Sequence, residues 1–563
     1  MTLKKRAAWG AVLFFSAIFL AASLGSAFKS LPLNPDMAEM ALIYQGTASH
    51  GWWFPFTWRF TEDNQILSLL PFTEIYYAIA GVSGISIIVQ GWLIFVANAA
   101  LAAFLARVSG FPGIWATAVF CLCLGAPPDV LGSPAILAYP VTHNSSWAFG
   151  LLGAAALVRY ITARPRWALP VVLGCVFVGT VSDPWFDAAF TAPAAILAWK
   201  SVQWFGMDPA GRRRLITGLV VSYVSGRLGY AGLELLHMVP GRSLTIASPE
   251  AMVYHFQLFL RSLGLLLQLY PVPAGYRLWV WLFYIFIFGI FAFSAIRKSC
   301  RQTPAAQVLL FFCGFSVGVI GAAFVLTGFA SGMGSSRFLE NVYYLSLIGI
   351  VAAGLKLWQS GSGFQKALPF LFFLSFLTLS ITAGSQSGWR YHPDWGRSSN
   401  LAGFLEKKDL HYGYGTYFSS GSPLFSIFSN GKVTSRPISC NNGFMVPRLS
   451  SADYQFWFKM QTLHGSNKNF VIFPRDKNWK NCTMKAFGIP DEKFFHDGFN
   501  VYVYQKPLIE PLLASKGEFD RSWERNNIRR NRRGIQEAGK VLGIQTRWIQ
   551  SAYSWLLKND LAG

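Results

Sequence analysis

The sequence predicts an α-helical polytopic membrane protein of about 11 transmembrane helices with a small mixed α/β extracytoplasmic C-terminal domain. Hydrophobic residues make up 53% of its 563 residues and charged residues only 13%, whereas a soluble domain carries about a quarter charged residues. Apolar runs close to the roughly 20 residues that cross a bilayer recur along the chain. Lysine and arginine collect in every second short loop, as they do in chains that cross a membrane repeatedly.

The predicted spans follow from these apolar runs, and the basic loops between them set the orientation. Lys4, Lys5 and Arg6 precede the first run, which places the N-terminus in the cytoplasm. The length of that run and the spans behind it favour a membrane anchor over a cleaved signal peptide. The predicted spans lie near 9–28, 86–106, 111–127, 145–160, 167–182, 186–204, 215–233, 279–296, 305–327, 338–356 and 367–383.

Three regions are predicted: a transmembrane domain over 1–383, an extracytoplasmic mixed α/β domain over 384–510, and a basic amphipathic tail over 511–563. The runs KNFVIFP (468–474) and NVYVYQKP (500–507) have the composition of short strands. Two cysteines of this polar C-terminal part, Cys440 and Cys482, are candidates for a disulfide if it lies outside the cytoplasm. The tail fits either a helix on the membrane interface or a solvated or disordered segment.

The net charge of +22 has more than one explanation, and the number of spans decides among them. Nucleic acid is a poor partner for a chain with so many spans, so none is predicted. Anionic membrane lipids or an anionic polysaccharide explain the charge better. The sequence contains neither a CxxC nor an HExxH zinc signature.

Polar and ionisable residues gather in the loops predicted to lie outside. Ionisable groups at the membrane boundary cost free energy, so they are functional candidates by default. Each also has a structural alternative: a loop histidine commonly just makes a hydrogen bond, and an arginine at a span end often extends to the interface. The candidates for substrate binding are Glu62, Asp63, His143, His255, Arg261 and Arg337.

The candidates for catalysis are Asp36 and Glu39, which lie just past the first span in LPLNPDMAEMALIYQG. In a helix these two acids share one face. A carboxylate there can act as a general base or as a metal ligand, and the nearby low dielectric raises its pKa. Alternatively, Pro35 and Asp36 are simply favourable residues for the first turn of a helix.

The stretch that follows, HGWWFPFTWRFTEDNQ, resembles the GT-C glycosyltransferases, which use lipid-phosphate-linked sugars. Protein O-mannosyltransferases and the transferase that adds aminoarabinose to lipid A are examples. The family places an acid just after span one, then a G-x-W-x-x-P-like stretch and a polar turn. The matching residues are Asp36 for the acid, Gly51, Trp52 or Trp53 and Pro55 for the stretch, and Glu62-Asp63-Asn64 for the turn. Family members often carry adjacent acids, so the spacing here leaves the role of Glu39 open.

A second match is SSRFLENVYYLSLIGIVAAGL, whose Arg337 corresponds to the family arginine that meets the lipid phosphate. The resemblance implies an inverting transfer of sugar from a polyprenyl-phosphate donor to an envelope glycan, glycolipid or protein. The reaction is expected on the extracytoplasmic side of a bacterial inner membrane. Asp36 would be the base or the ligand of a divalent metal, Mg²⁺ or Mn²⁺, the only cofactor suggested. The alternatives are a polysaccharide or lipid-linked glycan transporter or flippase, and a non-catalytic glycan-binding scaffold.

Overall fold

The structure is a computed structural model, and it describes residues 3–125, 136–139, 142–242, 245–266, 303–330, 332–360, 394–448, 451–453 and 468–518. It divides into two compact units, one of residues 1–397 with 450–455 and one of 398–449 with 456–563. The short segment 450–455 thus belongs with the helices, although the sequence places it in the C-terminal region. The predicted boundary at 383 and most of the predicted tail lie outside the described residues.

The first unit is helical. Among the described residues, short 3-10 or π-helical segments interrupt it at Phe54–Thr57, Ile136–Ala138, Asp187–Thr191 and Met333–Leu339. Its helices are α1 (Leu3–Ser30), α2 (Pro35–His50), α3 (Leu70–Ala80), α4 (Gly84–Val108), α5 (Gly113–Gly125), α6 (Asn144–Thr162), α7 (Ala168–Ser182), α8 (Ala192–Phe205), α9 (Pro209–Leu235), α10 (Pro249–Leu266), α11 (Pro304–Leu326) and α12 (Glu340–Ser360).

The chain is an integral membrane protein, but the predicted count of about 11 spans is not confirmed. Among the described residues, four helices are long and apolar enough to cross a membrane, over Leu13–Ser30, Gly84–Val108, Pro304–Leu326 and Gly334–Gln359. Two shorter apolar helices are α5 and α7. The spans predicted near 279–296 and 367–383 lie outside the described part of the chain.

The first outer loop folds back on itself for local reasons. Asn34 caps α2 by accepting the Met37 N–H at 3.0 Å, and Pro35 suits the first helical position because it has no N–H to satisfy. Gly51 ends α2 with a φ of +90°, a conformation that side-chain-bearing residues rarely adopt. The G-x-W-x-x-P-like stretch therefore forms the turn that brings Trp58 back toward α2.

Two ionisable residues within the predicted spans lie opposite each other. The guanidinium of Arg227 is 4.0 Å from the carboxylate of Asp187, which also accepts a hydrogen bond from Thr180 at 3.0 Å. Pairing of this kind is the usual arrangement for charges inside a membrane domain.

The second unit contains a six-stranded sheet in the order β4-β3-β2-β6-β8-β7. Strand β2 is parallel to β3 and β6, and the other pairs are antiparallel. The two strands predicted from sequence are confirmed as β6 and β8. The strands of this sheet are β2 (Tyr412–Thr416), β3 (Thr434–Asn441), β4 (Phe444–Pro447), β6 (Asn469–Pro474), β7 (Glu492–His496) and β8 (Phe499–Tyr504).

Helices α13 (Asp394–Lys407), α14 (Phe425–Phe428) and α15 (Lys477–Phe487) accompany the sheet. Leu401 and Leu405 of α13 pack into one core with alternating residues of the central strands, including Phe470 and Val501. Two further strands, β1 (Trp58–Arg59) and β5 (Ala452–Asp453), pair antiparallel in the first unit.

A disulfide joins Cys440 of β3 to Cys482 of α15 and closes a loop with a sequence separation of 42 residues. Disulfides persist in oxidising compartments and are rare in the cytosol. The disulfide that the sequence predicted as a candidate is formed in the structure.

We predict that Cys440→Ser destabilises the second unit by about 2–4 kcal/mol, because the cross-link restricts the unfolded chain. Limited proteolysis of the full-length protein in urea measures this as a shift of the cleavage midpoint. The Cys440→Ser, Cys482→Ser double variant is the control, since it should be no less stable than either single variant. A wild-type midpoint that reductant does not shift would contradict the prediction.

Candidate functional site

The site forms where the first outer loop attaches to the C-terminal end of α7. The side chain of Asn64 donates to the Val181 carbonyl at 2.8 Å, and its backbone N–H donates to the Ser182 carbonyl at 2.9 Å. Arg242 donates to the Thr180 and Val181 carbonyls at 3.1 and 3.3 Å. These donors satisfy carbonyls that a helix end leaves without partners, and they fix the turn that carries Asp63.

Asp183 is the buried acid at the end of α7. Its carboxylate accepts from the Nδ1 of His143 at 2.8 Å, from the Ser146 hydroxyl at 2.6 Å and from the Trp185 N–H at 2.8 Å. Burial alone would raise the pKa of Asp183, but His143 and the other donors outweigh it and hold the pKa below its usual value. The group is therefore an ionised, fully partnered carboxylate at neutral pH.

His143 immediately precedes α6, and its ring is buried. The Nδ1 atom meets Asp183, while the buried Nε2 atom has no hydrogen-bond partner among the described residues. The ring lies 5.2 Å from the ring of Phe338 and 6.3 Å from that of Trp185. Those two aromatic rings stack on each other at 4.6 Å, which fixes the imidazole from one side.

Arg337 and Glu340 come from the segment that opens α12. Glu340 is 1% exposed and accepts a hydrogen bond from the Thr142 hydroxyl at 3.2 Å, while its other carboxylate oxygen has no partner in the described chain. Arg337 is exposed, with its guanidinium 5.2 Å from the Phe338 ring. It lies near enough to Asp63 to act on its charge.

Asp63 stands between these groups and the first helix of the outer loop. Burial raises the pKa of Asp63, and the neighbouring His143 and Arg337 oppose that rise while Asp183 adds to it. Glu62, its neighbour, faces Asp63 and Arg242; burial is the main reason that the pKa of Glu62 is raised.

Asp36 and Glu39 lie on α2, as a helical interpretation of their spacing predicts. Glu39 is 3% exposed and accepts a hydrogen bond from the Trp58 indole at 2.8 Å. Burial, together with the charges of Asp36 and Asp63, raises the pKa of Glu39 to about 8 although Trp58 opposes the shift. Asp36 is partly buried in the first turn of the helix. The two acids therefore differ: Glu39 carries a proton at neutral pH.

Tyr139 links Asp36 to the groups of α12. Its hydroxyl donates to the Asn34 side chain at 2.6 Å, which is the cap of α2. Asp36, Arg337 and Glu39 are all ionisable neighbours of this phenol. Seven residues thus form one connected group, called the polar cluster here: Asp36, Glu39, Asp63, His143, Asp183, Arg337 and Glu340.

The structure gathers five of the eight residues predicted from sequence into this cluster, and Glu62 lies beside it. It does not bring in the other two, which lie on α10. His255 is buried with its Nδ1 3.2 Å from the Val325 carbonyl, and Arg261 is exposed on the same helix.

Sequence reasoning missed the importance of Asp183, Glu340, Tyr139 and Trp58. Asp183 was available as an acid next to a proline at a span end, the position of a helix cap. Its pairing with His143 joins residues 40 positions apart, and no local spacing predicts such a contact.

In the ranges that the structure describes, no group of three or more His, Cys, Asp or Glu side chains is arranged to hold a metal ion. A Mg²⁺ or Mn²⁺ at Asp36 stays a prediction, and no step is assigned to it.

No protein-family model and no curated protein sequence matches the chain. Solved structures do match, and two of them are of one protein. ArnT from Cupriavidus metallidurans in the apo state aligns with a TM-score of 0.54 at 13% identity, over 90% of this chain and 99% of that one. The same protein bound to undecaprenyl phosphate gives a TM-score of 0.54 at 13% identity over 89% and 99%.

The chain has the ArnT fold. The alignment spans both the helical unit and the sheet unit, because it covers about nine-tenths of the sequence. The resemblance to GT-C glycosyltransferases that the sequence suggested is thereby confirmed at the level of the fold.

We predict that Glu39→Gln raises the melting temperature increasingly as pH rises from about 5 to about 8. The folded state holds the Glu39 proton up to about pH 8, whereas the unfolded chain releases it near pH 4.5. The stability that this group contributes is thus fully present below the unfolded pKa and is lost as pH rises through the folded one. Glutamine does not titrate and escapes that loss.

Thermal unfolding of the purified protein across this pH range measures the difference. The control is Glu234→Gln, which changes an exposed acid at the end of α9 and should leave the pH dependence of unfolding unchanged. Parallel curves for Glu39→Gln and wild type would show that Glu39 is ionised at neutral pH in the folded protein.

Proposed function

We propose that the protein transfers a sugar from a polyprenyl-phosphate-linked donor to a hydroxyl of a cell-envelope glycan, glycolipid or protein. The observation that carries the proposal is the exposed Arg337 guanidinium beside the carboxylates of the polar cluster, at the start of a membrane-spanning helix. Among the described residues, the Arg337 guanidinium forms no ion pair or hydrogen bond. The fold supports the proposal, because ArnT binds undecaprenyl phosphate.

Arg337 is placed to bind the phosphate of such a donor. A guanidinium offers several donors in one plane and matches phosphate oxygens well. As the bond between the sugar and the phosphate breaks, negative charge grows on the phosphate, and a fixed cation there lowers the barrier. A lipid tail would remain in the bilayer beside α12 while its phosphate reaches this residue.

Asp36 is the carboxylate that we assign to the reacting centre, as a base or as a metal ligand. Asp36 is only partly buried, whereas the buried Glu39 retains its proton to about pH 8. Glu39 instead supports the loop through the Trp58 indole. Holding donor and acceptor together at the membrane boundary further increases the rate of transfer.

The disulfide of the second unit supports a placement of the reaction outside the cytoplasm. The N-terminus would then lie in the cytoplasm, with the second unit in the periplasm of a bacterial cell. The sugar acceptor is drawn from the same compartment.

We predict that Asp36→Asn lowers transfer at least about 100-fold, since asparagine keeps the shape but loses the charge. The assay measures radiolabelled sugar passed from undecaprenyl-phosphate sugars to extracted envelope glycans and glycolipids in proteoliposomes. Glu250→Gln is the matched control, because Glu250 is also an acid in the first turn of its helix but lies on α10. Equal transfer by Asp36→Asn and wild type would remove Asp36 from the reaction.

We predict that Arg337→Ala raises the KM for the lipid-phosphate donor by about tenfold or more, because a charge-assisted hydrogen bond to a phosphate contributes about 1.5–3 kcal/mol. Arg337→Lys should recover part of this loss, since lysine restores the charge without the planar donors. The same proteoliposome assay gives both parameters when the donor concentration is varied. An unchanged KM in Arg337→Ala would place the donor phosphate elsewhere.

A further inference from the structure

The Nε2 atom of His143 is a buried polar atom of the polar cluster, and it has no hydrogen-bond partner among the described residues. A buried polar atom without a partner costs about 1–3 kcal/mol, and buried polar atoms in folded proteins are nearly always satisfied. The residue is 8% exposed, and its other nitrogen is already held by Asp183. An atom kept in this state points to a partner that arrives with a substrate.

The Asp183 contact also decides which nitrogen of His143 carries the proton. Asp183 is ionised and only accepts hydrogen bonds, so Nδ1 must donate to it. In the neutral imidazole the Nε2 atom then presents its lone pair. A carboxylate that orients an imidazole in this way prepares it to take a proton at the opposite nitrogen, and it stabilises the cation that results.

The charged groups around His143 come from four elements: Asp63 from the first outer loop, Asp183 from the end of α7, Arg337 from the turn before α12, and Glu340 from α12 itself. Arg337 is the phosphate-binding residue of the proposed function. His143 and Arg337 thus both lie close enough to Asp63 to act on its charge.

We infer that His143 is the general base that accepts the proton of the acceptor hydroxyl, with Asp183 as its positioning residue. The inference rests on the proposed function and deepens it, because it makes the acceptor a neutral hydroxyl. It moves the role of base from Asp36 to His143, and it leaves Asp36 an electrostatic role toward the positive charge that develops on the sugar.

The transfer balances as follows. The acceptor oxygen forms a bond to the anomeric carbon while the bond from that carbon to the phosphate oxygen breaks. The hydroxyl proton moves to Nε2 of His143, and the imidazolium is stabilised by Asp183. The polyprenyl phosphate leaves with the bonding electrons, and its charge is met by Arg337. The proton returns to water when the product departs.

The test compares His143→Gln, Asp183→Asn and wild type in the proteoliposome transfer assay. Glutamine retains a donor to Asp183 but cannot take up a proton. We expect kcat to fall at least about 100-fold with little change in the KM for donor. The matched control is His411→Gln, which removes a second histidine paired with an aspartate, Asp409 at 2.7 Å, in the other unit.

A chemical rescue separates a base from a structural histidine. In His143→Gly, added imidazole should restore a measurable fraction of transfer, and 1-methylimidazole should restore less, because it has no N–H to donate to Asp183. Melting temperatures within a few degrees of wild type show that the variants are folded. If His143→Gln does not fold, Asp183→Asn carries the test, because its kcat should fall in the same way.

The outcomes separate the two claims. Transfer by His143→Gln within a few-fold of wild type, together with inactive Asp36→Asn, would overturn the inference and leave the proposed function standing. A fall in His143→Gln that imidazole does not restore in His143→Gly would also overturn it, since a positioning histidine behaves in this way. Wild type that transfers no sugar from any donor, although folded, would overturn both.

Discussion

The carboxylate of Asp183 is the contact on which the geometry of the site depends. A buried charge at a membrane boundary is tolerated only when hydrogen bonds replace its lost hydration. Three donors do so here. One of them is His143, which immediately precedes α6, and Asp183 itself immediately follows α7. The carbonyls of the same helix end hold the first outer loop through Asn64. One helix terminus thus positions both the imidazole and the loop that bears Asp63.

The surroundings of two acids of the polar cluster shift their pKa values in opposite directions: the pKa of Glu39 is raised and that of Asp183 is lowered. Glu39 is buried beside the Trp58 indole and retains its proton to about pH 8, whereas donors hold Asp183 ionised. Divergent environments of this kind commonly mark a division of roles among the acids of an active site. A neutral Glu39 adds no negative charge beside Asp36.

The sequence predicted the class of fold because length, apolarity and loop charge are properties of single segments. It also predicted the α2 acids, the disulfide partners and the strands β6 and β8, each from a local pattern. It could not predict that Asp183 meets His143, since that contact joins two helix ends distant in the chain. Nor did it show that His255 and Arg261 lie apart from the polar cluster, because the sequence of an outer loop carries no local signal of which other loops it contacts. The segment 450–455 joins the first unit through pairing with β1, and pairing between distant strands has no local signal.

The measurement that tests the account most directly is an experimental structure of the full-length protein in a lipid nanodisc with undecaprenyl phosphate. The account predicts density for the phosphate within hydrogen-bond distance of the Arg337 guanidinium, on the side that faces Asp63 and His143. A phosphate bound instead at Arg242 or Arg261, with Arg337 turned away, would contradict the assignment of the polar cluster as the site of sugar transfer.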